Sequence, residues 1–213
     1  MARNEVYFSN HGRALKFPWS LYHAPLIHSL NKFLNDGSGK VGRKILVIGP
    51  GDLPELPDLL RLKLKISILD IDPRVIDQLK EKFGDTLDQA FLVGENFENY
   101  PQPESFDLIY AKEVIEHFAN PSPFVSRIFS LLRPGGRVWI STPNYGFFLL
   151  PFLESTILEI IARFSGFSRR NIHPSRFSRN SLQKIFSENK FVVETCEETF
   201  AKLALFIISR KSL

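Results

Sequence analysis

The sequence predicts an α/β fold, a mostly parallel sheet with helices on both faces. Three observations carry this. Short β-branched runs alternate with amphipathic stretches across residues 44–141, the pattern of repeated strand–helix units. The runs are apolar nearly throughout, as strands covered on both faces are. The tail then breaks the alternation with two neighbouring strand-like runs, which adds a hairpin and an antiparallel edge strand.

Ahead of the first strand, Leu21, Leu26, Ile27, Leu30, Phe33 and Leu34 recur at helical spacing and predict a helix packed on the domain. Lys44–Ile48 (KILVI) is the first strand, followed by a helix near 54–65 whose start Pro54 and Pro57 make irregular. Ile66–Leu69 is the second strand, and a helix over 73–83 opens with Asp72 as N-cap and Pro73 in its first turn. Ala90–Val93 and Phe106–Tyr110 are the third and fourth strands; helices over 112–117 and 121–132 lead to the fifth, Arg137–Ser141. The closing runs, 191–197 (FVVETCE) and 200–209 (FAKLALFIIS), stand about two residues apart and bring the strands to seven.

At 213 residues the chain suits one domain. Hydrophobic residues at 44% and charged residues at 23% exclude a disordered or fibrous chain. The single cysteine, Cys196, excludes an internal disulfide framework and a thiolate zinc cluster, and points to a reducing compartment, the cytoplasm. The opening MARNEVYFSN lacks the apolar core of a secretory signal. The most apolar run, FFLLPFL at 147–153, is seven residues long, against the roughly 20 that span a bilayer. The net charge of +4 is local: residues 1–144 carry 17 basic and 17 acidic side chains, whereas 145–213 carry 10 and 6. A clustered excess attracts an anionic ligand, where a dispersed one mainly aids solubility.

Gly49-Pro50-Gly51-Asp52 follows the first strand directly, and Asp70 ends the second, 19 residues beyond Gly51. Glycines let backbone approach a ligand closely, and a carboxylate at that distance accepts from ribose hydroxyls. Taken alone, these residues also fit a tight strand-to-helix turn followed by an Asx turn. The chain resembles the class I S-adenosylmethionine-dependent methyltransferases through four segments in the family's order: VIGPG (47–51), LDIDP (69–73), FDLIYAKEVIEHF (106–118) and LLRPGGRVWISTPN (131–144). The last two resemble the subgroup of ubiquinone-biosynthesis O-methyltransferases. The resemblance covers 43–144, with a weaker match over 173–209, and implies a Rossmann-like seven-stranded fold with S-adenosyl-L-methionine as cofactor.

Carried over by position, Gly49, Pro50 and Gly51 pass under the methionine and ribose, Asp70 with neighbouring Ile71 holds the ribose, Glu95 and Asn96 meet the adenine, and backbone near Ala111 faces the methionine. Two positions depart from the family pattern. Val47 stands where an acidic residue is usual, so the methionine amino group loses an indirect anchor, and Leu53 stands where a third glycine is common.

Methyl transfer is an in-line displacement that needs the nucleophile held on the methyl axis in a dry pocket, and a hydroxyl nucleophile also needs its proton removed by a base or a metal. Glu113, Glu116 and His117 form E-x-x-E-H, whose spacing on a helix places the three on one face. Ubiquinone-type O-methyltransferases and small-RNA 2′-O-methyltransferases, which this segment resembles, use a similar motif as a metal site, in the RNA enzymes with a downstream histidine. Here His173, in HPSRF, is the candidate, and a divalent cation such as Mg would be the cofactor. The competing reading needs no metal: the glutamates sit favourably in a first helical turn, and His173, with His117 and Glu113, handles the proton. His11, His23 and His28 are assigned to packing or an N-terminal lid, and Cys196 to the core.

Between the fifth strand and the hairpin, Leu153, Ile157, Ile160 and Ile161 recur at helical spacing. Arg163, Arg169, Arg170, Arg176 and Arg179 then interleave with Phe164, Phe167 and Phe177. Greasy surface beside arginines suits a lipid-like acceptor bearing phosphate or carboxylate, or peripheral contact with an anionic membrane. It also suits RNA, the less favoured partner, and the plainest alternative is a lid helix with a solvated basic loop. The aromatic stretch over 7–22 is expected to fold over the same mouth. The domain divides into an N-terminal helical cap (1–42), a cofactor-binding core (43–144), an acceptor-side lid (145–180) and a closing helix and hairpin (181–213). The function expected is methylation, more often at oxygen, of a small or lipid-like anionic metabolite. The alternatives are a metal-assisted RNA 2′-O-methyltransferase and an inactive methyltransferase-like binding subunit.

Overall fold

Strands β1 (Lys44–Ile48), β2 (Lys65–Asp70), β3 (Leu87–Leu92), β4 (Phe106–Lys112) and β5 (Leu132–Pro143) pair in parallel, and β6 (Phe191–Glu198) with β7 (Ala204–Lys211) closes the sheet as a hairpin. This computed structural model describes residues 20–36, 42–93, 101–156 and 173–212. The order is β3-β2-β1-β4-β5-β7-β6, so the sheet has the seven strands expected; β7 runs antiparallel to both β5 and edge strand β6. The chain steps outward from β1 to β3 and then returns to lay β4 on the other side of β1. That reversal opens a crevice at the carboxyl ends of β1 and β4.

Alternation along the strands divides the core between the two faces. Ile45, Val47, Ile66, Ile68, Leu108, Tyr110 and Trp139 pack with α1 (Ser20–Asn35), α2 (Leu56–Arg61) and α3 (Pro73–Phe83). Leu46, Ile48, Ile109, Ala111 and Ile140 face the other way, onto α4 (Ser122–Leu131) and α6 (Arg179–Glu188). A short helix α5 (Leu149–Ser155) follows β5, and no helix among the described residues is long and apolar enough to cross a membrane.

Local chemistry sets several boundaries. The Asp72 carboxylate accepts the Arg74 N–H at 2.9 Å, capping α3 as expected, with Pro73 in its first turn. Ser178 caps α6 through a reciprocal pair with Ser181. Trp139 is fully buried, and its indole N–H donates to Ser29 Oγ (3.1 Å), which donates in turn to the Leu26 carbonyl (3.0 Å). One satisfied indole thus ties α1 to the middle of the sheet.

Several expectations are corrected. The helical stripe of α1 begins at Leu26, and Leu21 is 57% exposed. The first crossover helix is confined to Leu56–Arg61, because the chain turns through 51–55 before it and Lys63 takes a left-handed φ of +53° after it. Strand β3 starts three residues early, at Leu87; as an edge strand it carries polar Asp88 and Gln89, which an apolar-run criterion skips. The predicted helix over 112–117 is absent: β4 runs to Lys112, and only a 3₁₀ turn, Ile115–His117, follows. The hairpin turn takes 199–203, not two residues.

The docking of α1 is testable by urea unfolding. Leu30→Ala, at a fully buried position, is expected to cost about 2–5 kcal/mol, whereas Leu21→Ala should stay within about 0.5 kcal/mol. Equal effects would contradict the packing described.

Candidate functional site

The chain leaves β1 through Gly49 (φ +64°) and Gly51 (φ +53°), left-handed positions that suit glycine. The Gly49 N–H donates to the Leu69 carbonyl (2.9 Å) and the Leu53 N–H to the Pro50 carbonyl (2.9 Å), which closes the turn against the end of β2. Pro50 is buried within it. A Cβ on Gly49 would stand 2.6 Å from Val114 Cγ2, so the absence of a side chain lets the segment after β4 rest on the turn. Leu53 keeps a left-handed backbone (φ +49°) although it is not glycine. Its side chain is buried in the cluster beneath α1 and α2, which offsets a conformation costing an L-residue about 1–2 kcal/mol.

Asp70 ends β2 half-buried and accepts the Asp72 N–H at 2.9 Å; burial pushes its carboxyl above the usual range, against these backbone hydrogen bonds. Ile71 beside it is 74% exposed. Ala111 is fully buried at the end of β4, opposite Ile48 of β1. Left-handed backbone for close approach and a carboxylate for ribose hydroxyls fit an adenosyl cofactor. Glu95 and Asn96 lie outside the described residues.

A buried ion pair here was not anticipated from the sequence. Glu55, 4% exposed, pairs with Lys112, the last residue of β4, and accepts from the Tyr110 hydroxyl at 3.4 Å. Burial and then the Glu55 charge hold the Tyr110 phenol well above its usual pKa. The available signal was a lysine ending a strand whose preceding four residues, Leu108–Ala111, are apolar or aromatic.

Beyond β4 the E-x-x-E-H residues do not share one helical face. Glu113 takes φ +58°, a left-handed backbone ahead of the 3₁₀ turn at Ile115–His117 that breaks the helical spacing of the three. Its carboxylate accepts from Ser141 Oγ (3.0 Å) and from the Tyr22 hydroxyl of α1. Burial, then the charge of Glu113, raises the Tyr22 pKa well above normal. Glu116, His117 and His173 instead come together, with one ligating atom from each lying within 4.8 Å of the others.

Hydrogen bonds deliver His173 to that place. The Ser175 N–H donates to the Glu116 carbonyl (3.1 Å), Ser175 Oγ to the Phe118 carbonyl (2.6 Å), and the Tyr145 N–H to the Phe177 carbonyl (2.8 Å). The Tyr145 hydroxyl lies 2.6 Å from His173 Nδ1, the His117 and His173 rings meet edge-to-face at 5.2 Å, and the Arg176 guanidinium stands 5.3 Å over the Tyr145 ring. Neither Tyr22 nor Tyr145 was singled out from the sequence.

The remaining candidates scatter. His23 packs edge-on against Tyr22 at 4.9 Å, and His28 is exposed rather than packed. His11, Ile157, Ile160, Ile161, Arg163, Phe164, Phe167, Arg169 and Arg170 lie outside the described residues. Phe177 is buried and bridges Asn144, and Arg179 opens α6. Cys196 is buried, and burial pushes its thiol up to about 11, as suits a core residue.

Strand order, glycine turn and Asp70 define a nucleotide-cofactor domain of the class I methyltransferase kind. The family model for the methyltransferase domain matches residues 19–195, and the chain belongs to that family, S-adenosylmethionine-dependent and of class I. It is 35% identical over 78 residues to malonyl-[acyl-carrier protein] O-methyltransferase 1 of Ilyobacter polytropus, covering 37% of this chain and 29% of that protein. It is 24% identical over 151 residues to the ubiquinone biosynthesis O-methyltransferase of Proteus mirabilis, covering 68% and 62% respectively. The matches thus span less than two thirds of these relatives' length. A solved S-adenosylmethionine-dependent methyltransferase from Aquifex aeolicus shares the fold with a TM-score of 0.63 at 14% identity over 98% of both chains.

Gly49→Ala should abolish measurable S-adenosylhomocysteine binding in calorimetry and lower stability by about 1–3 kcal/mol; unchanged binding would contradict the contact with Val114. For Cys196, a thiol reagent at pH 8 should modify the native chain at least about a hundredfold more slowly than the urea-unfolded chain. Rapid native labelling would contradict its burial.

Proposed function

We propose that this chain transfers the methyl group of S-adenosylmethionine to a hydroxyl of a small or lipid-like, anionic metabolite. The observation that carries the reading is the meeting of Glu116, His117 and His173 within 4.8 Å, beside a segment whose Val114 touches the glycine turn. When bound, the cofactor supplies an activated methyl group on a sulfonium. The protein's part is to hold the acceptor hydroxyl on the methyl axis, keep water out and take its proton.

Tyr145 beside Nδ1 orients the His173 ring, and Glu113, held by Tyr22 and Ser141, steadies the turn that carries Glu116 and His117. The same three residues would hold a divalent cation, which would lower the pKa of a bound hydroxyl. Two imidazoles and one carboxylate make a donor set softer than Mg prefers, so cobalt or zinc is the better match.

Support for a lipid-like acceptor comes from the surface after β5. Phe148 and Phe152 are exposed one turn apart on the approach to and along α5. Phe200 is 99% exposed in the hairpin turn, where Lys202 stands 5.4 Å over the Phe147 ring. Aromatic side chains with interspersed cations suit an amphipathic ligand or the membrane that contains it.

Methyl-labelled S-adenosylmethionine incubated with a total lipid extract and, separately, with total RNA tests the reading. Label is expected in an organic-soluble methyl ether, and His173→Ala and Glu116→Gln should each lower the rate roughly 10²–10⁴-fold. If the cluster holds a metal, a chelator removes activity and cobalt or zinc restores it. Label in RNA alone, or full activity in both variants, would overturn the assignment.

A further inference from the structure

We propose that Lys112 is the residue that reads the amino-acid end of the cofactor, with its ammonium on the α-carboxylate, and that Glu55 is the positioning residue that aims it. The proposal rests on the cofactor assigned above and is independent of the acceptor.

The first observation is the placement of charge. Glu55 is 4% exposed and Lys112 23%, and they pair beside Tyr110, which belongs to the apolar cluster of that face. Such a pair gains little stability over apolar residues of the same volume, because desolvation offsets the Coulomb attraction. Its presence therefore calls for a role beyond holding the fold. Lys112 is the more exposed partner of the pair.

The second is position. Lys112 directly follows Ala111, which is in register with Ile48, so it stands at the exit of β4 beside the glycine turn that follows Ile48. Glu55 ends the same turn, just before α2. The pair thus flanks the β1–β4 crevice from both of its strands. By strand alternation Lys112 lies on the face of Tyr110, and Tyr110 is in register with Val47. The Tyr110 hydroxyl touches Glu55, so the carboxylate meets β4 at two side chains, Tyr110 and Lys112.

The third is capacity. An ammonium has three donors, and among the described residues Glu55 is the acceptor that Lys112 meets, which leaves donors for a ligand carboxylate. Glu55, enclosed and shared with Tyr110, fixes where that ammonium sits. An unpaired flexible lysine would have to be ordered when the ligand binds; this one is ordered beforehand.

Two ligands separate this role from a structural one: S-adenosylhomocysteine carries the amino acid and 5′-methylthioadenosine lacks it. In calorimetry the wild-type chain should bind the first roughly tenfold or more tightly than the second. Lys112→Gln should erase that preference while leaving 5′-methylthioadenosine affinity within about twofold, Lys112→Arg should retain it, and Glu55→Gln should reduce it without equal loss for the truncated ligand. Decarboxylated S-adenosylhomocysteine tested on the wild-type chain needs no variant, and should bind as weakly as 5′-methylthioadenosine. Undiminished S-adenosylhomocysteine affinity in Lys112→Gln, or equal weakening of both ligands, would overturn the proposal. Wild-type binding of both with equal affinity would overturn the role of Lys112 alone, whereas binding of neither would overturn the cofactor reading as well.

Discussion

The site depends on one constraint: a parallel sheet covered on both faces has no room for chemistry except where its strands end. Side chains along β1 and in the middle of β4 are buried on both faces, so polar groups collect at their carboxyl ends. The reversal of strand order between β1 and β4 keeps the two exit loops from crossing over one another, which leaves a crevice between them. Gly49 leaves on one side, and Lys112 and Glu113 on the other. Val114 closes the distance by resting on Gly49, a contact that exists because Gly49 has no Cβ.

Strain follows from that geometry. Leu53 and Glu113 both take left-handed backbone without being glycine, one in each exit loop. Different forces hold them. Leu53 is kept by the apolar contacts of its buried side chain, Glu113 by hydrogen bonds from Ser141 and Tyr22. The second device links α1 to the site, since Tyr22 belongs to a helix docked through Leu26, Leu30, Phe33 and Trp139 rather than through the strand ladder. Loosening α1 would therefore loosen Glu113 and the turn carrying Glu116 and His117.

What the sequence made legible was set by near neighbours. KILVI is apolar on both faces and is β1 to the residue; Asp72-Pro73 caps and starts α3 by bonds within three residues; the order of strands and helices follows from local periodicity. What stayed illegible depends on distant partners. EVIEH has helical composition, but the left-handed Glu113 that breaks it is held by Tyr22, 91 positions away. Glu55 and Lys112 are 57 apart. Val47 and Leu53 read as losses because each was compared with one expected residue. At 53 the backbone conformation survives the change of side chain. At 47 the side chain is fully buried in the apolar core.

The crevice and the mouth obey different electrostatics, and the connection between them is short. At the cofactor end a lysine and a glutamate oppose each other in a largely dry setting, where charge acts at close range and salt screens it little. At the mouth, Arg176 and Lys202 lie over the rings of Tyr145 and Phe147, beside exposed phenylalanines, so cations and apolar area face the same solvent. The first environment holds charge in one fixed place; the second offers cations and apolar area together. Residues 112–117 span the two, with Lys112 in the crevice, Val114 on the glycine turn, and Glu116 and His117 against His173. The glycine turn and the cluster of Glu116, His117 and His173 are thus joined through six residues of backbone, with Val114 as the contact.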